Sequence, residues 1–498
     1  MPAIDNSPPR RRLAHRIPVR MRQYWKLVAL FVVVSVGLVV VLGESRIRPY
    51  ITGDATVMAS EITDNIAGTV DLFDRSVTHS LTVDISPAEY NEMISAYEKD
   101  GAKKWVTADI TIDETFISDV AVRLKGNSTL IGLRGDDAFP TGGPRGGANE
   151  GPTTPAADDG AVPPMDGGGM GAVATASADD PTTLPLLIKF SENAAGRGYQ
   201  GMTEISVRPG TPVLNEAMAL SLTAETGQPT QRYGYAAYTI NGQNTTRLLL
   251  EHPDDTYANT LFDSDGYLYK ADANSRLEYA GEDQSVYSEQ FKQINSADNG
   301  NLQPIINFLK WLDEADQNEF DQNVSAWVDV ESFARYAATQ NLLVNGDDMA
   351  GPGQNYYLWY DLETEKITVV SWDLNLAMQG NASIGPDDAV QMGPPAGMDG
   401  AAARPDMWQG APEGGARLGN QLKERFLESE VWSVRYHAAY WQLYEKMYGS
   451  GRAQTLLDEI ATSIPITDGL SAEDLDTAAA TMRQWIDERV SALDALNN

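Results

Sequence analysis

The sequence predicts an α+β protein preceded by one membrane-spanning helix. Three observations lead to this prediction. Two-residue alternation and hairpin turns dominate residues 76–251, helical patterns dominate the chain from residue 302 onward, and one uncharged apolar run lies near the N-terminus. The length of 498 residues fits one large domain or two of ordinary size.

The composition excludes several classes of protein. Hydrophobic residues make up 42% of the chain, with 10 Trp and 21 Tyr, so a wholly disordered chain is excluded. The absence of cysteine excludes disulfides, cysteine-ligated metal sites and cysteine nucleophiles. Only four histidines are present, which leaves little room for a multi-histidine metal site. The net charge of −33 argues against nucleic-acid binding, because phosphates would be repelled.

The N-terminus combines a basic segment with an apolar one. Residues 1–26 hold seven basic residues and one acid, and residues 27–43 are an uncharged, valine-rich run of 17 residues. This length is at the short end of what spans a bilayer. We predict an uncleaved anchor with residues 1–26 in the cytoplasm and residues 44–498 outside the cell membrane. A cleavable signal peptide and a buried helix are the alternatives.

The rest of the chain divides by composition. Residues 44–75 are polar and indicate a stalk, and residues 76–498 have the patterns of a folded domain. Two segments, 132–183 and 380–416, are dominated by Gly, Pro, Ala and Asp. Such segments bury too little apolar surface to offset the entropy of ordering, so we predict two low-complexity insertions that form mobile loops.

Local patterns predict the elements of the folded domain in order. Ser86 and Pro87 mark the start of a helix after the strand 80–85. Hairpin turns are predicted at Asp113–Glu114 and at Asn241–Gly242. The remaining predictions are a buried strand at 184–190, a helix at 213–227, a largely helical stretch at 302–344, a hairpin at 355–373 and helices after residue 418.

The densest polar cluster follows an apolar helix. Asp347 and Asp348 come directly after it, Asn355 lies eight residues past Asp347, and Asp373 ends the following hairpin. The hairpin would return Asp373 to the loop that holds Asp347. Two aspartates and an asparagine at one end of a hairpin offer the hard oxygen ligands that Mg²⁺ prefers. The alternative is structural: Asp347 and Asp348 cap a loop, and Asp373 ends a strand.

Three other residues favour phosphate chemistry less specifically. Lys189 lies in an otherwise apolar strand, and Glu216 lies near the start of the next helix. A strand lysine paired with a helix glutamate is how kinases hold a cation against the ATP phosphates. Lys189 also fits an ordinary edge lysine. Lys125, followed by Gly-Asn-Ser, suits either a phosphate or an ordinary turn.

Nine segments in order resemble the CotH-like spore coat protein kinase family. They are VRLKGNSTL, LLIKF, NEAMALSLTAETGQPTQR, YTINGQ, LLLEHPDD, GYLYK, NLLVNGDD, QNYYLWYD and ITVVSWDLNLA. The resemblance runs from about residue 79 to about residue 462, and the two low-complexity segments interrupt it.

The resemblance implies an atypical protein-kinase-like, two-lobed fold that uses ATP and Mg²⁺. It also implies transfer of the γ-phosphate to Ser or Thr of a surface protein. Asp347 matches the catalytic aspartate and Asp373 the metal-binding one, with Asn355 as a second metal ligand. Lys189 and Glu216 are the best match to the kinase Lys–Glu pair. Glu251 would fall at the hinge near adenine.

Two other functions remain open at this point. One is the same fold without activity, used as a cell-surface binding or assembly module, because few routes supply ATP outside a membrane. The other is a glycoside hydrolase with paired carboxylates, although no specific pair of acids stands out in the sequence.

Overall fold

The computed structural model describes residues 62–126, 128–134, 176–273, 275–295, 300–390 and 419–497. Its strands are β1 (Asp64–Ile66), β2 (His79–Ile85), β3 (Val106–Ile112), β4 (Thr115–Leu124), β5 (Leu186–Lys189), β6 (Arg197–Tyr199), β7 (Glu204–Val207), β8 (Tyr233–Ile240), β9 (Gln243–Glu251), β10 (Gly266–Ala271), β11 (Phe291–Gln293), β12 (Tyr356–Asp361) and β13 (Ile367–Ser371). Its helices are α1 (Pro87–Asp100), α2 (Ile131–Arg134), α3 (Leu214–Glu225), α4 (Tyr257–Leu261), α5 (Gln284–Tyr287), α6 (Gln303–Glu314), α7 (Gln317–Trp327), α8 (Val330–Leu342), α9 (Gln421–Glu428), α10 (Ser433–Tyr444), α11 (Arg452–Ser463) and α12 (Ala472–Asn497). The predicted α+β class is therefore confirmed.

Seven strands form a closed barrel in the order β2-β3-β4-β5-β7-β9-β8. All neighbours are antiparallel except β2 and β8, whose parallel pairing closes the barrel. Buried and exposed residues alternate along β2 and β3, as expected for strands with one face toward a core. The barrel interior is apolar and includes Leu81, Val83 and Ile110, all buried.

Both predicted turns of the barrel are present. Asp113 and Glu114 connect β3 to β4 with φ values of 44° and 69°, and Asn241 and Gly242 connect β8 to β9 with φ values of 48° and 80°. Two successive residues with positive φ match the right-handed twist of a hairpin. The predicted helix α1 is also present, because the Ser86 side chain accepts a hydrogen bond from Glu89 N and Pro87 takes the first helical position.

The second part of the molecule is a four-stranded antiparallel sheet surrounded by helices. The strand order is β11-β10-β12-β13. Helices α3, α6–α8 and α9–α12 share one apolar core with this sheet. The sequence predicted the hairpin β12–β13, but it did not predict that β10 and β11 extend the hairpin into a sheet.

The other domain-level predictions have mixed outcomes. No helix among the described residues is long and apolar enough to cross a membrane, and the predicted anchor at 27–43 lies outside those residues. Most of the two predicted low-complexity insertions, namely residues 135–175 and 391–416, also lies outside them. The kinase-like, two-lobed arrangement stays a prediction.

A buried histidine joins three parts of the barrel. His79, at the start of β2, is 1% exposed. Its Nδ1 lies 2.7 Å from Asp113 Oδ2 and its Nε2 lies 2.9 Å from the carbonyl oxygen of Asp74. Both partners are acceptors, so both contacts are hydrogen bonds only when the imidazole carries two protons. Burial alone lowers the pKa of His79, but Asp113 and Asp74 outweigh it and raise the pKa above 6.5.

This histidine predicts a pH dependence of stability. A folded-state pKa above the unfolded value means that the stabilisation is complete below pH 6.5 and is lost as pH rises through the folded pKa. We expect the melting temperature of His79→Gln to fall less steeply above this pH than that of the wild type. His437→Gln is the matched control, because His437 pairs with Asp387 at the surface. Parallel curves for His79→Gln and the wild type would contradict the assignment.

Candidate active site

Asp347 lies in the loop between α8 and β12 and is 5% exposed. The backbone N–H of Gly353 donates to Asp347 Oδ1 at 2.6 Å, and Asn355 Nδ2 donates to Oδ2 at 2.9 Å. The loop therefore folds back onto the carboxylate and fixes both of its oxygens.

Two glycines make this loop geometry possible. A Cβ atom on Gly353 would lie 2.6 Å from Asp347 Oδ2, and one on Gly351 would lie 2.4 Å from Asp347 Cα. Because such separations are shorter than real carbon contacts, the backbone can approach Asp347 only where side chains are absent. The Gly-Pro-Gly sequence at 351–353 was not recognised as part of the site in the sequence analysis.

The environment of Asp347 disfavours its charged form. Burial, with smaller contributions from the negative charges of Asp373 and Asp348, raises the pKa of Asp347 to about 7, although the hydrogen bonds from Gly353 and Asn355 oppose the shift. The hairpin places Ser371 of β13 opposite Tyr356 of β12, so Asp373, two residues after Ser371, returns toward the loop that holds Asp347.

Asp348 points to a different part of the molecule. Its Oδ2 forms an ion pair with Lys423 of α9, and its Oδ1 accepts a hydrogen bond from Ala350 N at 2.9 Å. The side chain is 2% exposed. Asp348 therefore joins the Asp347 loop to α9.

Asp373 follows β13 and directly precedes a short 3₁₀ turn, Leu374–Leu376. Its φ of 51° is a left-handed conformation that is uncommon outside glycine, asparagine and aspartate. The side chain is 28% exposed and forms an ion pair with Nη2 of Arg208. Asp373 is therefore more accessible to a ligand than Asp347.

Arg208 also holds the buried carboxylate of Glu216. Its Nε donates to Glu216 Oε2 at 2.6 Å, and its Nη2 donates to Oε1. Burial raises the pKa of Glu216, although Arg208 acts in the opposite direction. For Arg208, burial lowers the pKa, but Asp373 and Glu216 outweigh it, so the net shift is upward and the guanidinium stays charged.

The predicted pairing of Lys189 with Glu216 is wrong. Lys189 Nζ lies 3.3 Å from Glu192 Oε2 and 3.3 Å from Glu204 Oε1. Burial lowers the pKa of Lys189, but these two carboxylates raise it more, and the net pKa is raised. Strands β5 and β7 are antiparallel with Lys189 opposite Glu204, so Lys189 lies at the far end of this pair of strands from Arg208. Arg208, which follows β7, is the cation on Glu216.

Lys125 is a second cation near this cluster. Its Nζ donates to Ser206 Oγ at 2.6 Å and lies 3.1 Å from His252 Nδ1. It also lies 5.2 Å from the ring centre of Trp372, the residue before Asp373. The positive charge of Lys125 makes a small contribution that lowers the pKa of Glu216, against the larger effect of burial.

A cleft of about 330 Å³ opens between the barrel and the four-stranded sheet. Its barrel wall includes Lys189, Glu204 and His252, and its sheet wall includes Lys270 and Tyr357. Lys270 Nζ lies 5.6 Å from the ring centre of Trp372. Trp372 therefore lies near two cations, that of Lys270 on the sheet wall and that of Lys125, which follows β4 of the barrel.

Glu251 ends strand β9 and is 3% exposed. Its Oε1 lies 2.7 Å from Arg232 Nη2, and Oε2 accepts hydrogen bonds from Arg232 N and Nε. Arg232 thus holds the carboxylate of Glu251 in place. Its predicted position near adenine stays a prediction.

Three residues that contact or adjoin the acids of the site were not predicted from the sequence. Arg208 follows the alternating strand EISV and lies eight residues before Glu216. This position just past a strand could have indicated Arg208 as a partner for Glu216. Trp372 directly precedes the predicted site residue Asp373 at the end of a strand. That adjacency could have indicated Trp372 as part of the site. Lys423 had no local signal, because its contact with Asp348 spans 75 residues.

Comparison with protein families identifies the family to which the chain belongs. A family model described as CotH kinase protein matches residues 210–493, which is more than half of the chain. The chain therefore belongs to the CotH kinase family, and the resemblance found in the sequence is confirmed. Asp347, Asp373 and Glu216 lie inside the match, whereas Lys125 and residues 79–209 lie outside it. No curated protein matches the chain.

For the family as a whole, the name kinase implies phosphate transfer as the class of activity and ATP as the phosphate donor. Among the residues that the structure describes, no group of three or more His, Cys, Asp or Glu side chains could hold a metal ion by itself.

Proposed function

We propose that the chain is a membrane-anchored, extracytoplasmic protein kinase that transfers the γ-phosphate of ATP to Ser or Thr of a surface protein. One observation carries the proposal: Asp373 forms an ion pair with Arg208, which also holds Glu216. The negative charge of Asp373 in turn acts on the buried Asp347. Family membership supports phosphate transfer as the reaction at this site.

Asp347 is the residue that receives the proton of the acceptor hydroxyl. Gly353 and Asn355 hold its carboxylate, so a hydroxyl at that carboxylate would be oriented before transfer. Such positioning supplies a large part of the rate enhancement in phosphoryl transfer. The second contribution of Asp347 is general-base catalysis.

Arg208 and Lys125 supply positive charge toward the phosphates. Arg208 stays charged and is fixed by Glu216 and Asp373, and Lys125 is fixed by Ser206 and His252. Cations that are already in place stabilise developing negative charge without reorganisation. Lys189 lines the neighbouring cleft and stays a candidate for contact with the nucleotide, as does Glu251.

The donor set fits Mg²⁺ in its usual kinase role. Mg²⁺ uses one or two carboxylates and completes its shell with phosphate oxygens and water, so a cluster of three acids is not required. Asp373 supplies a partly exposed carboxylate, and Asn355 supplies a side-chain oxygen beside Asp347. Bound Mg²⁺ would neutralise charge on the phosphates.

A specific observation favours a second candidate function. Asp373 already forms an ion pair with Arg208, and this contact would have to loosen before Asp373 could bind a metal ion. The second candidate is therefore a catalytically inactive CotH-like module for binding or assembly at the cell surface.

Purified chain tests the two candidates directly. Titration with ATP in the presence and absence of Mg²⁺ measures nucleotide binding, and transfer of labelled phosphate to a Ser-rich peptide or to the chain itself measures activity. Magnesium-dependent binding together with transfer supports the kinase. The absence of both supports the surface module.

The proposed location has a separate test. The basic residues 1–26 and the apolar residues 27–43 motivate it. A reporter that is active only outside the cytoplasm, fused after residue 60, should give a signal. A signal only from a reporter that works in the cytoplasm would overturn the proposed topology.

A further inference from the structure

A buried arginine of the last helix lies between the two segments that carry the acids. Arg489 of α12 has an exposed fraction of 0%. Its Nε donates to the carbonyl oxygen of Leu342 at 3.2 Å, and its Nη2 donates to the carbonyl oxygen of Asn341 at 3.0 Å. Its Nη1 donates to the carbonyl oxygen of Ala382 at 3.1 Å and to that of Ile384.

These hydrogen-bond partners offset the free-energy cost of burying the positive charge of Arg489. An unpaired buried guanidinium would be strongly unfavourable, and here all three nitrogens donate to oxygen atoms. Nη2 also contacts Asn341 Oδ1 at 3.2 Å and Tyr440 OH at 3.1 Å. Asn341 and Leu342 are the last residues of α8, so Arg489 lies at the negative end of the helix dipole.

Nε and Nη2 of Arg489 bind the segment that leads to Asp347. Helix α8 ends at Leu342, five residues before Asp347. Besides Arg489, Tyr448 OH donates to the carbonyl oxygen of Leu342 at 3.1 Å. The C-terminus of α8 is therefore fixed by side chains of the C-terminal helical region.

Nη1 of Arg489 binds the segment that follows Asp373. Ala382 and Ile384 lie nine and eleven residues after Asp373. The two segments also contact each other, because Met378 N donates to the carbonyl oxygen of Leu343 at 2.7 Å, and Asn341 Nδ2 donates to the carbonyl oxygen of Gly385 at 3.1 Å. A single side chain thus links the polypeptide on the Asp347 side to that on the Asp373 side.

We propose that Arg489 is a positioning residue for phosphate transfer, which sets the placement of Asp347 relative to Asp373 by binding the end of α8 and residues 382–384 at the same time. The proposal rests on the proposed kinase function. Arg489 touches neither the substrate nor the two aspartates, and it acts through the backbone that carries them.

The first measurement is steady-state transfer by Arg489→Lys. Lysine keeps the charge but lacks the planar fork that reaches both segments. We expect kcat to fall by about 10- to 100-fold, because small displacements of catalytic groups have effects of this size, and KM for ATP to change less than kcat. Tyr440→Phe removes one hydrogen-bond partner of Arg489 Nη2 and should also lower kcat, by a smaller factor than Arg489→Lys. It is the variant to measure if Arg489→Lys does not fold.

Arg425→Lys is the matched control. Arg425 of α9 also binds backbone carbonyls at a helix end, those of Leu312 and Asp316, both at 2.8 Å. It should lower the melting temperature and leave kcat unchanged at temperatures where the variant is folded. A fall in kcat for Arg425→Lys equal to that for Arg489→Lys would overturn the proposal.

Hydrogen exchange separates this proposal from the proposed function. Arg489→Lys should speed amide exchange in residues 343–355 and in residues 374–388, and little elsewhere. Unchanged exchange in these two segments, or a uniform increase over the whole molecule, would overturn the role of Arg489. If the wild-type protein has no transfer activity, the proposed function and the catalytic part of this proposal are overturned. Amide hydrogen exchange would still decide whether Arg489 holds the two segments in place.

Discussion

Replacement of Asp347 by asparagine is expected to reduce phosphate transfer by about 10²–10⁴-fold, the range of general-base contributions, while ATP binding changes little. The carboxylate is buried and held by Gly353 and Asn355, so its loss removes a proton acceptor in a fixed position. The measurement is transfer of labelled phosphate at saturating ATP, together with a nucleotide titration on the same preparation.

The neighbouring aspartate supplies the control for this substitution. Asp348→Asn alone would leave the Lys423 ammonium without its carboxylate, which is strongly unfavourable in a buried site. The double variant Asp348→Asn/Lys423→Met removes both partners. We expect it to retain transfer activity. Equal losses of activity in this variant and in Asp347→Asn would show that the loop as a whole, and not Asp347, is required.

Replacement of Asp373 by asparagine should weaken magnesium-dependent ATP binding by about tenfold or more, since even indirect changes at metal sites reach this size. A charged hard ligand becomes a neutral one, and Arg208 loses one of its two carboxylates. Glu216 still holds Arg208, so the fold around it should persist. The measurement is an ATP titration with and without Mg²⁺.

The titration without Mg²⁺ is the internal control for Asp373. Without Mg²⁺, Asp373→Asn should bind ATP at least as tightly as the wild type, because the metal ligand has no role there and the substitution removes a negative charge beside Arg208. If the substitution weakened binding equally under both conditions, Asp373 would act through Arg208, and its assignment as a metal ligand would fail.

Local patterns were sufficient to predict most individual elements. Turns such as Asn241–Gly242, the capped start of α1 and the stop of α3 near Gly227 depend on residues a few positions apart, and sequence reasoning evaluates such positions directly. The acid cluster was found for the same reason, because Asp347 and Asp348 follow an apolar helix and Asp373 ends a hairpin.

Partnerships between distant segments could not be predicted in the same way. Lys189 and Arg208 are both cations near the ends of buried strands, and only the path of the barrel decides which one reaches Glu216. The contacts of Arg489 had no local signal, since its partners lie more than 100 residues away except for Tyr440. Helix periodicity predicts that position 489 faces inward, but not what it contacts.

The parallel pairing of β2 with β8 has a consequence for biogenesis. His79 pairs with Ala236 and Val83 pairs with Ile240, so the first strand of the barrel has no partner on that side until more than 150 further residues have been made. Until then β2 presents an open edge, which favours pairing with other chains. Long-range pairing of this kind also slows folding. During synthesis, the chain would therefore gain from a chaperone that shields the N-terminal strands until β8 and β9 emerge.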